Sequence, residues 1–217
     1  KYTYEGGPQS AIAITSPSKQ KVIVQNIDFK MWQVGAIFTY ETQNIEFKNN
    51  VVERIGSLYF PNERSKMVEN GKSIAIYSAG AIYPKNSNSV TISGNIIKNV
   101  SNRFEDLASS HVFYLTRVGN AKISGNKISY ASGPPVKVRR GETKNVDIKD
   151  NEFDYTGPSK ALGASQGGWV RYSGDSAEGC PSDITIENNK FYYPYCWKGK
   201  ENCNKAVAEK CTVSNPD

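Results

Sequence analysis

Short runs in which apolar and polar residues alternate recur along the chain, and each run is followed by a turn-forming pair of residues. The consensus is apolar, any, apolar, any, any, Asn, any, apolar. Alternation with period two places the apolar side chains on one face of a short strand. In most copies a Gly or Asn stands before the repeated Asn and favours a left-handed turn. Five copies begin at Ile45, Val90, Ala121, Val146 and Ile184, and a degenerate copy begins at Val22.

The spacing of the repeated Asn predicts a stacked repeat. The intervals between successive copies are 24, 45, 31, 25 and 38 residues, and we interpret the interval of 45 as two units, with residues 74–77 as an additional strand. One unit cannot close a core, whereas stacked units can pair their strands about 4.8 Å apart. The repeated Asn side chains should then form a ladder inside one bend. Those Asn are 26, 50, 95, 126, 151 and 189.

The repeat resembles the right-handed parallel β-helix of the pectate-lyase-like superfamily over residues 22–191. The resemblance implies an all-β, single-stranded right-handed parallel β-helix (a solenoid). The repeat predicts about seven or eight turns, and the cysteines discussed below predict a disulfide-stapled C-terminal cap. An antiparallel sandwich would instead show turn signals about every 8–12 residues. We expect the β-helix domain to cover residues 1–195 and the C-terminal cap segment to cover residues 196–217.

All four cysteines lie in the last 38 residues of the chain. Their spacing contains no CxxC, and the only histidine, His111, is distant in sequence, so a zinc site is poorly supported. Two disulfides fit better, which indicates an oxidising, extracytoplasmic compartment and a secreted, extracellular protein. Three pairings remain open, and four free thiols in a cytosolic protein are the alternative. The cysteines are Cys180, Cys196, Cys203 and Cys211.

The composition is ordinary, with 38% hydrophobic and 22% charged residues. No apolar run approaches the roughly 18 residues of a membrane helix, so we expect no membrane span. The net charge of +6 favours an acidic partner such as an anionic polysaccharide, a nucleic acid or a negative surface. The chain starts at Lys1 without a signal-peptide pattern, and we expect a processed monomer or a fragment of a larger chain.

A second strand precedes each motif, and aligning these strands brings basic residues to one position. Arg117 and Arg139 then lie 22 residues apart in equivalent places. Unit charges stacked about 5 Å apart repel by roughly 0.8 kcal/mol in water, so an anion or acidic neighbours should offset them. The alternative is a row of solvated side chains without a ligand. The predicted stripe, on the outside of one sheet, is Glu41, Lys85, Arg117, Arg139 and Arg171.

Residues 110–120 (SHVFYLTRVGN) and 135–141 (PVKVRRG) resemble adjacent turns of the chondroitinase B and alginate lyase family. That family carries a Lys base on one turn and an Arg-His-Gly segment with a partner Arg on the next. The resemblance implies that Arg117 stands at the position of the Lys and Arg139 at that of the partner Arg. Arg140 stands where the family has His.

β-Elimination at a uronic acid requires a cation that neutralises the carboxylate and a base that removes the neighbouring proton. Lys137 has the same parity as Arg139 and should face the same side, whereas Tyr114 has the opposite parity to Arg117 and is predicted to point inward. His111 begins a strand and could lie at the groove edge. The predicted catalytic residues are Arg117, Arg139, His111 and Lys137, and the predicted substrate-binding residues are Lys85, Arg140, Arg171, Tyr114 and Trp169.

The leading hypothesis is a secreted polysaccharide lyase that acts on an acidic, uronic-acid-containing polysaccharide. It requires no cofactor and predicts no metal site, although Ca²⁺ could assist, with oxygen ligands available at Glu105, Asp106, Glu142 and Asp150. The alternatives are a non-catalytic glycan-binding or adhesin module and a phage-type depolymerase. The latter, a glycosidase, would need two carboxylates about 5–9.5 Å apart, and no such pair follows the stripe. Nucleic-acid binding ranks last because it requires a wider basic surface.

We predict two disulfides among the four cysteines. Thiol titration of the denatured, unreduced protein should detect no free sulfhydryl, whereas the same titration after reduction should detect four. Reduction should lower the free energy of unfolding by about 2–5 kcal/mol, because the bridges restrict the unfolded chain. Four free thiols before reduction would rule the prediction out.

Overall fold

The structure is a computed structural model that describes residues 2–5, 10–14, 16–56, 59, 66–69, 72–75, 80–101, 111–156, 170–173, 179–192 and 207–209. Within these residues the regular elements are 22 β-strands, numbered β1–β22 along the chain, and no α-helix is present. A search of the same residues for a helix long and apolar enough to cross a membrane finds none.

Most strands belong to three parallel sheets. Sheet 1 contains, in spatial order, β2 (Ser10–Ile14), β5 (Gly35–Tyr40), β10 (Gly80–Ser87), β13 (Phe113–Val118), β16 (Val136–Arg139), β19 (Val170–Ser173) and β22 (Val207–Glu209). Sheet 2 contains β3 (Ser18–Gln25), β6 (Thr42–Lys48), β11 (Ser89–Ser93), β14 (Ala121–Ser124), β17 (Lys144–Lys149) and β20 (Ser182–Glu187). Sheet 3 contains β4 (Asp28–Trp32), β7 (Val51–Ile55), β12 (Ile96–Val100), β15 (Lys127–Ala131), β18 (Glu152–Thr156) and β21 (Lys190–Tyr192).

The chain visits sheets 1, 2 and 3 in order and then returns to sheet 1, so three strands make one turn. The described part of the chain contains six such turns, and β22 adds a seventh strand to sheet 1. Three further strands, β1 (Tyr2–Glu5), β8 (Lys66–Glu69) and β9 (Lys72–Ala75), form a small antiparallel sheet. The predicted all-β architecture of stacked parallel strands is therefore confirmed, and it is compatible with a parallel β-helix.

The interval of 45 residues is one turn and not two, so this part of the prediction was wrong. Ile45 pairs with Val90, which places β6 directly beside β11. The residues between β7 and β10 are an insertion, and the part predicted as an extra strand of the solenoid begins in the antiparallel β9. Sequence spacing alone cannot separate a loop inserted into one turn from a whole turn with a degenerate motif.

The alternating apolar residues fill the interior of the solenoid. Val52, Ile97, Ile128 and Phe153 come from successive turns of sheet 3, and each is at most 1% exposed. Phe153 stacks on Phe191 of the next turn with ring centroids 5.1 Å apart. Full burial of side chains of this size contributes about 1.5–3 kcal/mol each, so the stacked core is the main stabilising term.

The repeated Asn side chains form a continuous buried ladder at the bend between sheets 2 and 3. Each Nδ2 donates to the Oδ1 of the next rung, over 3.1, 2.8, 2.9 and 2.9 Å in chain order. The first four rungs are at most 1% exposed. The predicted stack is confirmed for Asn50, Asn95, Asn126, Asn151 and Asn189.

Each amide also satisfies backbone groups that the bend would leave unpaired. The Asn126 side chain shows the pattern: its Nδ2 donates to the Ile92 carbonyl oxygen at 3.0 Å, and its Oδ1 accepts from the Asn95 backbone N–H at 3.0 Å. An unpaired buried backbone group costs free energy comparable to a lost hydrogen bond. Asn fits because it carries a donor and an acceptor on one short side chain.

Asn26 does not belong to this ladder. It has a φ of 58°, and it occupies the left-handed position just before the rung, which Asn49 fills in the next turn. Ile27 stands at the rung position and donates its backbone N–H to Asn50 Oδ1 at 3.1 Å. The degenerate copy is therefore shifted by one residue relative to the later ones.

The predicted division at residue 195, the total of about seven or eight turns for the whole chain and the disulfides are not tested by the residues that the structure describes. Cys196, Cys203 and Cys211 lie outside the described residues. These points therefore stay predictions.

Replacing Asn126 with Ala should lower the free energy of unfolding by about 3 kcal/mol or more. The substitution removes the acceptor of two buried donors, the backbone N–H and the Nδ2 of Asn95, and each unpaired buried group costs about 1–3 kcal/mol. The control is Asn120→Ala, which removes exposed hydrogen bonds and should cost less than about 1 kcal/mol. Chemical denaturation measures both, and equal losses would contradict the structural role of the ladder.

Candidate functional site

The outer face of sheet 1 displays aromatic and cationic side chains in two adjacent columns. In β13, Phe113 and Leu115 are fully buried, so the half-buried Tyr114 between them lies on the outer side of the sheet. The strand register extends this position to the neighbouring turns. The first column contains Phe38, Tyr83, Tyr114 and Lys137, and the second contains Tyr40, Lys85, Thr116 and Arg139.

The aromatic residues of the first column pack on one another. Phe38 meets Tyr83 edge to face, with centroids 5.3 Å apart and planes at 86°. Tyr83 stacks on Tyr114, with centroids 4.5 Å apart and planes at 30°. This contact follows from the strand spacing of about 4.8 Å, which brings equivalent side chains of successive turns together. The Tyr83 and Tyr114 rings therefore cover each other's facing sides.

The cations of the face contact these aromatic residues. The Arg139 Nη1 group donates a hydrogen bond to Tyr114 Oη at 3.1 Å. Lys85 Nζ lies 5.4 Å from the centroid of the Tyr40 ring, which is within the range of a cation–π interaction. Lys137 is opposite Tyr114 in the register and is only 7% exposed. The face is thus a packed arrangement and not a row of extended, solvated side chains.

His111 lies beside this arrangement, just before β13. It is 7% exposed, and its ring centroid is 5.5 Å from that of Tyr114. Its Nδ1 atom lies 3.3 Å from the Pro134 carbonyl oxygen. Because a carbonyl oxygen can only accept, Nδ1 carries a proton in this contact, and the lone pair of the neutral ring is then on Nε2.

The strand pairing in sheet 1 shows that the predicted basic stripe was partly wrong. Arg139 is opposite Thr116, and Thr116 is opposite Lys85, so Lys85 and Arg139 share a column as predicted. Arg117 is one residue beyond that column. The error arose because the bend between the sheet 1 strand and the motif differs in length from turn to turn. Arg139 lies seven positions before the motif residue Val146, whereas Thr116 lies five positions before the equivalent Ala121.

Two other members of the stripe also lie elsewhere. Arg171 is opposite Lys137 and not opposite Arg139. Glu41 follows Tyr40, which is the residue opposite Lys85, so Glu41 is also one position beyond the column. The stripe is therefore shorter than predicted.

Arg117 belongs instead to a column of left-handed residues at the bend between sheets 1 and 2. The members have φ values of 52°, 55°, 54° and 75° in chain order, and they are Glu41, Asn86, Arg117 and Arg140. A left-handed residue breaks the alternation of a strand. Parity counted from Arg117 therefore predicted the wrong side for Tyr114, which lies on the outer face. Arg117 Nε is 3.9 Å from Glu142 Oε1 at this bend.

Several charges on the other two sheets are paired with opposite charges. On sheet 2, Glu46 lies 2.5 Å from Lys21 and 2.7 Å from Lys48, and hydrogen bonds from both lower the pKa of its carboxyl. Lys149 Nζ lies 3.1 Å from Glu187, and this hydrogen bond raises the pKa of the lysine. Strands β5, β10, β13, β16 and β19 of sheet 1 carry no acidic residue but five basic ones: Lys85, Arg117, Lys137, Arg139 and Arg171.

The described residues contain no group of three or more His, Cys, Asp or Glu side chains that could hold a metal ion. Of the oxygen ligands considered for Ca²⁺, Glu105 and Asp106 lie outside the part of the chain that the structure describes, as does the predicted substrate-binding residue Trp169.

The chain matches no protein-family model, no curated protein and no solved structure. The superfamily suggested by the sequence pattern is therefore not established by a relative, and any functional assignment depends on the geometry of the outer face of sheet 1. Sequence reasoning missed Phe38 and Tyr83 as parts of this face. Their alternation with the buried Ile37 and Ile82 is the signal that could have identified them.

Replacing Glu41 with Asn should raise the free energy of unfolding by about 0.5–1 kcal/mol. Its φ of 52° lies in the left-handed region, which Asn tolerates better than Glu. The control is Glu53→Asn in β7, where an extended strand disfavours Asn and no gain is expected. Thermal or chemical unfolding measures the pair, and a loss of stability in the Glu41 variant would contradict the left-handed bend.

Proposed function

We propose that the outer face of sheet 1 binds an acidic, uronic-acid-containing polysaccharide and that the protein cleaves it by β-elimination. The observation that carries the proposal is the charge distribution over the three sheets. Acidic residues accompany the basic ones on sheets 2 and 3, whereas the central strands of sheet 1 carry basic residues alone. A polyanion bound on this face would interact favourably with those basic residues.

Arg139 and Lys137 are the proposed carboxylate-binding residues. They are two positions apart in β16, and the outward residues Tyr114 and Thr116 lie opposite them in β13. A guanidinium offers a planar pair of donors that matches a carboxylate, and neutralising that carboxylate acidifies the proton on the adjacent carbon. Lys85, two turns before Arg139 in the same column, extends the cationic surface along the solenoid.

His111 is the proposed base. In a neutral imidazole that donates through Nδ1 to Pro134, Nε2 is the ring atom that can take up a proton. Lys137 is the second candidate for this proton transfer. Arg117, which the resemblance placed at the position of the base, is the weaker choice because a guanidinium stays protonated and this one lies at the bend beside Glu142.

A non-catalytic glycan-binding module is the second candidate function. The low exposure of both His111 and Lys137 favours it, because a buried base reaches substrate less readily. A glycosidase is disfavoured because strands β5, β10, β13, β16 and β19 provide no carboxylate. In either case we propose a secreted protein whose C-terminal cysteines are paired, as the clustering of four cysteines indicates.

Arg139→Ala should lower kcat/KM on the preferred polysaccharide by at least about 100-fold, the scale for removing one preorganised charge stabiliser. The assay incubates the protein with a panel of uronic-acid polysaccharides and follows the ultraviolet absorbance of the unsaturated product. The control is Lys122→Ala in β14 of sheet 2, an exposed lysine whose loss should leave activity unchanged.

Binding to the same panel separates the two functions. A binding module should yield no unsaturated product, yet Arg139→Ala and added salt should both weaken its binding to the polymer. The proposed role of this face would be contradicted if no acidic polysaccharide were cleaved or bound. Equal activity of the Arg139 and Lys122 variants would also contradict it.

A further inference from the structure

Tyr114 occupies the centre of the outer face of sheet 1. Its ring stacks on Tyr83 on one side and meets the His111 ring at 5.5 Å. Its hydroxyl receives the hydrogen bond from Arg139, and Lys137 is opposite it in the register. Three side chains therefore contact Tyr114: Tyr83 and His111 contact its ring, and Arg139 contacts its hydroxyl.

The direction of the Arg139 contact determines what the hydroxyl can do. A guanidinium has donors but no acceptor, so Tyr114 Oη is the acceptor in this 3.1 Å hydrogen bond. A phenolic hydroxyl has one proton to donate in addition to the lone pairs that accept. Because Arg139 engages the oxygen as an acceptor, the Tyr114 O–H proton can be donated to a different acceptor.

We propose that Tyr114 is the general acid that protonates the departing glycosidic oxygen, an inference that rests on the proposed β-elimination. The base removes the proton from the carbon next to the carboxylate, and that electron pair forms a carbon–carbon double bond. The bond from the next carbon to the glycosidic oxygen breaks, and the Tyr114 proton moves to that oxygen. The phenolate is reprotonated from solvent as the base releases its proton.

The surroundings of Tyr114 suit this role. The step leaves a negative charge on Oη, and the Arg139 guanidinium is already 3.1 Å from that atom. A charge–charge interaction at a partly desolvated site is worth more than in water, and it needs no reorganisation when the charge appears. The stack with Tyr83 holds the ring, so the hydroxyl meets the leaving oxygen in a fixed geometry.

Arg139 can serve both the tyrosine and the substrate. A guanidinium has five N–H donors, of which the Nη1 contact with Tyr114 uses one. Two donors of a guanidinium lie side by side in a geometry that matches a carboxylate. The general acid and the carboxylate-binding group would thus be linked through one side chain.

The test compares Tyr114→Phe with the unaltered protein on two substrates. One is the preferred polysaccharide. The other is a short uronide whose leaving group is a nitrophenoxide in place of the departing sugar. Nitrophenoxide leaves without being protonated. The variant should lose about 100-fold or more in kcat on the polysaccharide, the scale of general acid catalysis, and less than about fivefold on the activated uronide.

The controls separate this role from a structural one. Phe retains the ring stacked on Tyr83, and Tyr130→Phe on sheet 3 removes a hydroxyl from an exposed tyrosine that should not affect either substrate. Arg139→Ala should slow both substrates because both carry the carboxylate. In the unaltered protein, deuterated solvent should slow cleavage of the polysaccharide more than that of the activated uronide, a readout that does not depend on how the variant folds.

Each outcome decides the inference. Equal losses on both substrates, full activity of Tyr114→Phe, or the same solvent isotope effect on both substrates would overturn the role of Tyr114 while leaving the lyase assignment intact. Absence of unsaturated product from every polysaccharide and from the activated uronide would overturn the lyase assignment itself, and the role of Tyr114 with it.

Discussion

The buried ladder of Asn side chains is the interaction on which the rest of the structure depends. A tight bend between two short strands leaves backbone groups unpaired inside the solenoid, where water cannot satisfy them. Asn126 meets this demand by bonding the rung before it, the rung after it and the Ile92 carbonyl. Because each rung depends on its neighbours, the ladder fixes the register of every turn from Asn50 to Asn189.

That register also creates the candidate site. Stacking at the strand spacing brings Tyr83, Tyr114 and Arg139, which are far apart in sequence, into direct contact. The same stacking would bring like charges together, and the side chains next to the cations differ among the three sheets. Sheets 2 and 3 interleave acids with bases, as Glu46 does between Lys21 and Lys48, whereas sheet 1 sets its cations against aromatic rings and a hydroxyl.

The central strands of sheet 1 hold five basic residues and no acidic one, so a polyanion bound along this face would interact favourably with their charges. The function proposed for sheet 1 follows from this consideration. It depends on a physical property of the face and not on a relative of known activity.

The sequence by itself determined the class of fold and the position of the ladder, because a run of alternating apolar residues that ends in Asn predicts both a strand and the bend that follows it. It also identified Lys85, Lys137, Arg139 and His111 as chemically notable residues. Only the tertiary structure decided which of them meet. Single left-handed residues at the bends, such as Arg117, and unequal bends, such as the one after Arg139, shift the register by one or two positions. A shift of one residue moves a side chain from one face of the sheet to the other. The local sequence does not encode this shift, because the register is set by pairing with residues some 25 positions away.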